Sequence, residues 1–279
     1  MYFELLDLVK RAAGALVDPE VERRVLASPH RLNEYGYDAW GLKPETAKYF
    51  YTVAAWLYRH YFRVKTVGIQ NVPSGRVLLI ANHAGQLPFD GLMLATAMLL
   101  EAEPPRLVRG MVERWFPTLP FLSVLIPRLG HVLGDPKNCT DLLEHGEAVM
   151  VFPEGVRGAG KLWWDRYRLA EFGYGFMRLS LRTGAPIVPI GIVGSEEQAP
   201  SFHDFAALAR ILRFPYFPIG PTLGLPLPTK YRIYFDEPLR FRGDPDAPDS
   251  ELAKDVDVVK SKIQRLLEYG LAEREHVFW

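Results

Sequence analysis

The chain has 279 residues, enough for one large domain or two small ones. Its content of 48% hydrophobic and 24% charged residues is typical of a globular protein and excludes a disordered or fibrous chain. A formal net charge of zero argues against a general polyanion binder, and the single cysteine, Cys139, excludes an internal disulfide and a multi-cysteine zinc site.

The first predicted element is an amphipathic helix. Apolar residues recur at helical spacing from Tyr2 to Val17, opposite charged residues that include Glu4 and Asp7. These two acids also argue against a secretory signal peptide, and the chain has no run of about eighteen apolar residues that would predict a transmembrane helix. Pro19 and the polar stretch around Asn33 are expected to break the helix.

A second helix is predicted from Pro44, a favourable first-turn residue, to Phe62. It is rich in Tyr, Trp and Phe, and it carries Lys48 and Arg59 within a window, Thr46 to Phe89, that has no Asp or Glu. Aromatic and basic residues together favour the headgroup region of an anionic membrane, although the aromatics could instead pack on a sheet. We therefore expect residues 1–62 to be a helical membrane-association segment of a peripheral, monotopic protein on the cytoplasmic face of a membrane.

Residues 63–279 are predicted to form an α/β domain, because short apolar runs alternate with helical segments. The fold class expected is a mostly parallel open sheet flanked by helices. The predicted strands are Val64–Ile69, Val77–Ala81, Leu107–Met111, Ala148–Phe152, Ile187–Val193 and Tyr231–Phe235. The predicted helices are Gly91–Leu100, Thr140–His145, Phe172–Thr183 and a last helix that starts at Asp249, after a Pro- and Gly-rich surface excursion over Phe214–Thr229.

The loop after the second predicted strand carries a histidine and a carboxylate. His83 lies two positions after the predicted strand Val77–Ala81, and six residues separate it from Asp90. Functional groups of open α/β sheets gather at the carboxyl ends of strands. An Asp that accepts from one ring nitrogen fixes the tautomer and leaves the other nitrogen as a base, although a lone loop histidine often has only a structural hydrogen bond.

A second loop, after the strand Ala148–Phe152, carries Glu154, Gly155 and Arg157. An Arg beside a Glu is a suitable anchor for a polar or phosphorylated acceptor. With the histidine as a base that deprotonates a hydroxyl, the two loops point to acyl transfer onto an alcohol.

These motifs resemble those of the glycerolipid acyltransferases of the lysophosphatidate and glycerol-phosphate type. The resemblance covers roughly residues 63–240, with four elements in the same order: Val64–Pro73, Asn82–His83 with Asp90, Phe152–Arg157 and Ala185–Ile190. The chain departs from the family in two places. The family usually has four residues between His and Asp, and Val156 stands where the family commonly has a hydroxyl residue.

The resemblance implies an O-acyltransferase that moves a fatty acyl group from a thioester, acyl-CoA or acyl carrier protein, to a lipid or glycerol-phosphate-type hydroxyl. It implies His83 and Asp90 as the catalytic pair, and Glu154, Gly155, Arg157 and Arg109 as substrate-binding residues. For Arg109 a surface salt bridge is the alternative. No metal, no cofactor and no nucleic acid is expected. Backbone N–H groups near Gly155 or Gly85 are candidates for holding the oxyanion.

Other residues have weaker assignments. Four basic side chains are candidates for the donor's phosphates, or else are solvated surface charges: Lys137, Lys161, Arg166 and Arg168. Trp163, Trp164 and Tyr167 either pack a lid or line an acyl tunnel. Cys139 is expected to be structural. The altered His83–Asp90 spacing leaves a non-catalytic lipid-binding or lipid-transfer protein as the alternative function, and the absence of a Gly-x-Ser-x-Gly elbow counts against a serine esterase.

Overall fold

The computed structural model describes residues 14, 16–84, 88–113, 118, 120–204, 218–222 and 225–279. The strands are β1 (Lys65–Val67), β2 (Val77–Ala81), β3 (Arg109–Val112), β4 (Val132–Leu133), β5 (Ala148–Val151), β6 (Ile187–Val193), β7 (His203–Asp204), β8 (Pro218–Ile219) and β9 (Arg232–Phe235). The helices are α1 (Pro19–Ala27), α2 (Pro44–Trp56), α3 (Phe89–Leu100), α4 (Leu122–Arg128), α5 (Pro136–Glu144), α6 (Val156–Ala159), α7 (Gly175–Thr183) and α8 (Asp249–Glu273). Short 3₁₀ turns cover Ile69–Asn71 and Trp163–Asp165.

Seven strands form one sheet in the order β1-β9-β6-β2-β5-β3-β4, and β7 pairs with β8 separately. Neighbours in the large sheet are parallel except β6 and β9, which run antiparallel. This confirms the predicted mostly parallel α/β sheet. All six predicted strands are present, and β2 and β6 have the predicted bounds. The three predicted helices of the sheet region and the last helix are also present.

The central strands are buried on both faces, which is why they read as continuous apolar runs. Alternate residues of β2 belong to two cores: Leu79 lies in the core under α1, α2 and α3, and Leu78 in the core under α5, α7 and α8. Helix α8 packs closely on β6 at Gly191, where a Cβ would lie 2.7 Å from the Cβ of Leu266. The two cores hold the carboxyl ends of β2, β5 and β6 at one edge.

The N-terminal region differs from expectation. The predicted helix Tyr2–Val17 lies almost entirely outside the described residues. The chain is not helical at residues 16–18, where a break was expected, and Pro19 then begins a new helix, α1, because proline needs no N–H partner in a first turn. The side chain of Asp18 caps this helix by accepting the N–H of Glu20 at 2.8 Å.

Helix α2 was predicted correctly and continues through a π-helical turn, Leu57–Tyr61. The expected division between residues 62 and 63 does not follow the packing. Tyr51, Tyr58 and Phe62 are at most 3% exposed and lie in the same core as strand residues of β2 and β6. Residues 44–62 therefore share the core of the α/β domain.

The positive charge expected for the acid-free window is offset in the fold at two of its basic residues, Lys48 and Arg59. Lys48 pairs with Glu22 at 2.8 Å, and Arg59 pairs with Asp18 and Glu20, each at 2.6 Å. These carboxylates come from α1 and the residue before it, so the window alone did not reveal them. Among the helices of the described residues, none has the combined length and apolar character needed to cross a membrane.

Candidate active site

The site lies where β2 and β6 end. Asn82, the first residue after β2, is fully buried, and its side-chain amide pairs with the backbone of Ile192 in β6. Its Oδ1 accepts the Ile192 N–H at 2.7 Å, and its Nδ2 donates to the Ile192 carbonyl at 3.1 Å. Asn82 thus satisfies buried backbone groups of β6 and fixes the direction in which the chain leaves the sheet.

His83 comes next and contacts Asp90. The imidazole Nδ1 lies 2.7 Å from Asp90 Oδ2, although six residues separate the two in sequence. The Asp90 side chain is completely buried at the start of α3. It also accepts the N–H groups of Ala84 at 2.9 Å and Gly91 at 2.7 Å, so both carboxylate oxygens are occupied. These contacts leave Nε2 as the ring nitrogen that does not face Asp90.

The imidazole is held on its face as well. Its ring stacks on Phe152 at a centroid distance of 4.5 Å, and the His83 side chain is 17% exposed. The longer spacing between His83 and Asp90 thus still permits the contact between His83 Nδ1 and the Asp90 carboxylate. The extra length between His83 and Asp90 would be absorbed by a bulge around Gly85–Pro88, and residues 85–87 lie outside the described residues.

Glu154 lies behind the histidine and is also completely buried. Its Oε1 accepts the backbone N–H of His83 at 3.0 Å, and its Oε2 accepts the N–H of Ala170 at 2.7 Å. Oε2 also pairs with Lys161 Nζ at 2.7 Å. The structure thus gives Glu154 three protein partners and the position of a residue that orients His83; contact with an acceptor stays a prediction.

The next residues bring the Glu154 loop against the histidine. Gly155 has φ +54° and precedes α6, the single turn Val156–Ala159. At Gly158, a Cβ would lie 2.9 Å from both the Cβ and the carbonyl oxygen of His83, so only glycine permits this approach. The Gly155 N–H donates to the Phe152 carbonyl at 3.0 Å and is not free to hold an oxyanion. The alternative, Gly85, lies outside the described residues.

Arg157 points outward. Its side chain is 56% exposed and makes one long ion pair, 3.2 Å, with the exposed Glu171. An exposed ion pair of this kind contributes little to stability. The guanidinium is therefore accessible to an anionic group from solvent.

Arg109 does not occupy the predicted place. Its side chain is 1% exposed and pairs with Asp38 at 2.5 Å and with Glu147 at 3.1 Å, with Trp40 on one face. It is neither exposed to an acceptor nor part of a surface salt bridge: it is the centre of a buried ion-pair cluster that ties the loop before α2 to the sheet. Asp38 is 71 residues away in sequence, so the pairing has no local signal.

A polar network beside Glu154 was not predicted. Lys161, assigned to the donor's phosphates or the surface, is instead buried between Glu154 and Glu196, which lies 3.4 Å from its Nζ. Burial raises the pKa of Glu196 to about 7, with the charges of Glu154 and Glu197 adding to the rise while Lys161 and a backbone hydrogen bond oppose it. The available signal was the polar run Ser195–Gln198, which begins two positions after β6, at the carboxyl end of the strand where functional groups gather.

The remaining candidates lie around this network. Tyr167 is buried: its hydroxyl pairs with Glu197 and accepts the N–H of Gly194 at 2.8 Å, so it packs the loop and does not line an open tunnel. Trp164 is 62% exposed. Three basic candidates are exposed on the surface: Lys137, Arg166 and Arg168. Burial, with the charge of Asp135, raises the pKa of the Cys139 thiol to about 11, as expected of a structural cysteine.

No set of three or more His, Cys, Asp or Glu side chains within the described ranges is arranged to hold a metal ion. What the arrangement offers chemically is an imidazole with one nitrogen held by a buried carboxylate, and an exposed guanidinium three residues after Glu154, which contacts the backbone of the same histidine. Such an imidazole serves as a general base toward a hydroxyl.

Comparison with known proteins gives a consistent result. The profile of the family described as Acyltransferase matches residues 63–193. An uncharacterized protein of Mycobacterium tuberculosis is 37% identical over 288 residues, which cover 99% of this chain and 78% of the relative. A Mycoplasma pneumoniae protein named probable 1-acyl-sn-glycerol-3-phosphate acyltransferase is 31% identical over 156 residues, covering 53% of this chain and 56% of the relative.

A solved structure has the same fold. The crystal structure of the 1-acyl-sn-glycerophosphate (LPA) acyltransferase of Thermotoga maritima superposes with a TM-score of 0.54 and 18% identity, covering 82% of this chain and 83% of that chain. The likeness includes the mostly parallel sheet and the helices on its two faces.

We predict that Asp90→Asn lowers the pKa of His83. Burial alone lowers this pKa, but the charge and the hydrogen bond of Asp90, followed by the charge of Glu154, outweigh burial and the charge of Lys161 and hold it above the ordinary value. Titration of the imidazole by NMR measures the change. In the wild type, base function is lost as pH falls through the raised pKa, and in the variant that loss moves to lower pH.

The matched control is Asp246→Asn, which removes an exposed carboxylate paired with Arg182. It should leave the His83 titration where it is. A His83 midpoint that stays constant or rises in Asp90→Asn would contradict the assigned origin of the shift.

Proposed function

Because this chain belongs to the glycerolipid acyltransferase family, we propose that it transfers a fatty acyl group from an acyl thioester to the hydroxyl of a lipid or glycerol-phosphate-type acceptor. The observation that carries the proposal is the contact of His83 Nδ1 with the buried carboxylate of Asp90 at 2.7 Å. This contact gives the imidazole the tautomer in which Nε2 accepts a proton.

The proposed reaction needs no acyl-enzyme, metal or bound cofactor. Nε2 of His83 takes the proton of the acceptor hydroxyl while the hydroxyl oxygen attacks the thioester carbonyl carbon. The tetrahedral intermediate then collapses, the carbon–sulfur bond breaks, and the thiolate leaves with the proton that His83 carries. The Asp90 carboxylate stabilises the imidazolium between these two steps.

Arg157 is the proposed contact of the acceptor's head. Its guanidinium is exposed, lies one turn after Glu154, and has a planar fork that matches the oxygens of a phosphate. The name of the Mycoplasma relative, a 1-acyl-sn-glycerol-3-phosphate acyltransferase, is consistent with a phosphorylated glycerol acceptor. Glu154, in this proposal, positions His83 and does not bind the acceptor directly.

We also propose that the protein works at a membrane surface, where long-chain substrates reside. The exposed face of α2 carries Val53 and Trp56, with exposures of 62% and 56%, next to the buried face that forms the core. An exposed indole on an amphipathic helix favours the headgroup boundary. Since the basic residues of this region are paired, apolar contact carries more of the proposed binding than charge.

His83→Ala should abolish acyl transfer while the fold persists. The backbone N–H that Glu154 accepts remains in the variant, whereas the base is lost, and a general base typically contributes about 10²–10⁴-fold in rate. Release of free thiol from an acyl-CoA in the presence of a lysophosphatidate acceptor measures the rate. His145→Ala, an exposed histidine after α5, is the control. Near-normal turnover of folded His83→Ala would refute the mechanism.

Arg157→Lys should raise the Michaelis constant for the acceptor by roughly tenfold, because a lysine cannot make the bidentate contact, and leave that for the donor nearly unchanged. Steady-state kinetics with each substrate varied in turn separates the two constants. Arg182→Lys is a matched control, since Arg182 also forms an exposed ion pair, with Asp246. A change confined to the donor would assign Arg157 to the donor site.

Replacing Val53 and Trp56 together with serine should weaken binding to vesicles of phosphatidylglycerol and phosphatidylcholine by roughly tenfold or more, because both side chains lose apolar contact. Flotation with the full chain is the measurement, since removing residues before Arg63 would remove part of the core. The control replaces Val258 and Tyr269 of α8, which are 45% and 57% exposed. Equal flotation of both double variants and the wild type would exclude this surface.

A further inference from the structure

A polar cavity of about 200 Å³ opens among the starts of β1 and β9, the end of α8 and the residues that follow it. Its lining contains four side chains that carry or gain positive charge, two carboxylates and an indole: Lys65, Lys230, Arg232, His276, Glu273, Glu275 and Trp279. Apart from Lys65, which lies in the acid-free window expected to favour an anionic membrane, none of these residues was assigned a role from the sequence.

Arg232 is the buried member of this lining. Its relative exposure is 9%, and its Nη1 nitrogen is buried with no hydrogen-bond partner in the part of the chain that the structure describes. A buried guanidinium nitrogen without an acceptor costs free energy, because it has lost its water and gained nothing in return. An anion in the cavity would supply the missing acceptor.

The carboxylates do not fill this need. Glu273 and Glu275 are both exposed. Glu273 Oε2 already accepts the hydroxyl of Tyr234 at 2.7 Å. The buried charge of the cavity is therefore positive, and the negative charges lie at its rim. This arrangement favours an anion over a cation as the occupant.

The cavity lies at the same edge of the sheet as His83. Arg232 starts β9 and is paired with Val193, the last residue of β6, because these strands run antiparallel. His83 follows β2, which is the other neighbour of β6. Two strand spacings separate β9 from β2, about 10 Å. The polar run Ser195–Gln198 lies after the strand between them.

We propose that this cavity binds the phosphates of a coenzyme A-type acyl donor, an inference that rests on the proposed function and gives its donor a chemical class. Arg232 and the two lysines bind the phosphate oxygens. Trp279, which is 69% exposed and lies against His276 at 5.2 Å, offers its ring to the nucleotide base. The thioester arm then runs along the strand edge toward His83.

Calorimetry on the full chain tests the assignment without turnover. Coenzyme A should bind, and Arg232→Gln and Lys230→Ala should each raise its Kd by about tenfold or more, since each removes a charged partner of a phosphate. Lys65→Ala should act in the same direction, so the test does not depend on the folding of the buried Arg232 variant. Pantetheine, which has no phosphate, should bind weakly and equally to all variants.

Lys254→Ala is the control for lost charge. Lys254 is exposed on the same helix as Glu273, nineteen residues earlier and so about 28 Å away along the axis. The affinity of the Lys254→Ala variant for coenzyme A should equal that of the wild type.

Three outcomes would overturn the assignment. Coenzyme A affinity that is unchanged in every cavity variant would do so, even if His83-dependent transfer is observed. If inorganic pyrophosphate binds as tightly as coenzyme A, the cavity is a site for free phosphate. Phosphatidate vesicles that require Lys230 and Arg232, without coenzyme A binding, would make it a lipid headgroup site. Coenzyme A binding that depends on the cavity in a protein without transfer activity would uphold the assignment and refute the proposed function alone.

Discussion

Two buried carboxylates hold one histidine: Asp90 contacts its ring and Glu154 accepts its backbone N–H. The other groups around them supply the hydrogen bonds and the positive charge that buried carboxylates require. A buried carboxylate is tolerated only when donors replace its water. Asp90 takes the imidazole and two backbone N–H groups of the loop and of α3. Glu154 takes the backbone N–H of the same histidine, the N–H of Ala170 and the charge of Lys161. Each carboxylate thereby fixes a different part of His83, its ring or its backbone.

The sheet explains why these groups meet. Parallel strands bring their carboxyl ends to one edge, so the loops after β2, β5 and β6 converge there although they are far apart in sequence. The antiparallel β9 adds something different, because its amino end reaches this same edge. Arg232 is thus placed at the same edge as the histidine, because β9 and its parallel neighbour β1 run against the other five strands of the sheet.

The N-terminal helices belong to this scaffold. Helix α2 covers one face of the sheet with Tyr51 and Ala55, and its cations are balanced by acids of the α1 region. The sequence suggests a separate, basic segment because the carboxylates that pair with Lys48 and Arg59 lie outside the acid-free window. In the fold α2 packs on the sheet with its cations paired, and Val53 and Trp56 remain exposed to solvent.

The sequence by itself determined the α/β class, the main strands and helices, and the loops that carry His83 and Glu154. These follow from local periodicity and from the rule that polar groups after buried strands are functional. The His83–Asp90 contact was also within reach, since the two residues are seven positions apart at one strand end. The tertiary structure alone decided what the other charged residues do. Arg109 meets Asp38 across 71 positions, Lys161 meets Glu196 across 35, and Glu154 meets the His83 backbone across 71. A charged side chain reads the same in sequence whether it is solvated or paired, and only the packing of distant segments brings its partner within hydrogen-bond distance.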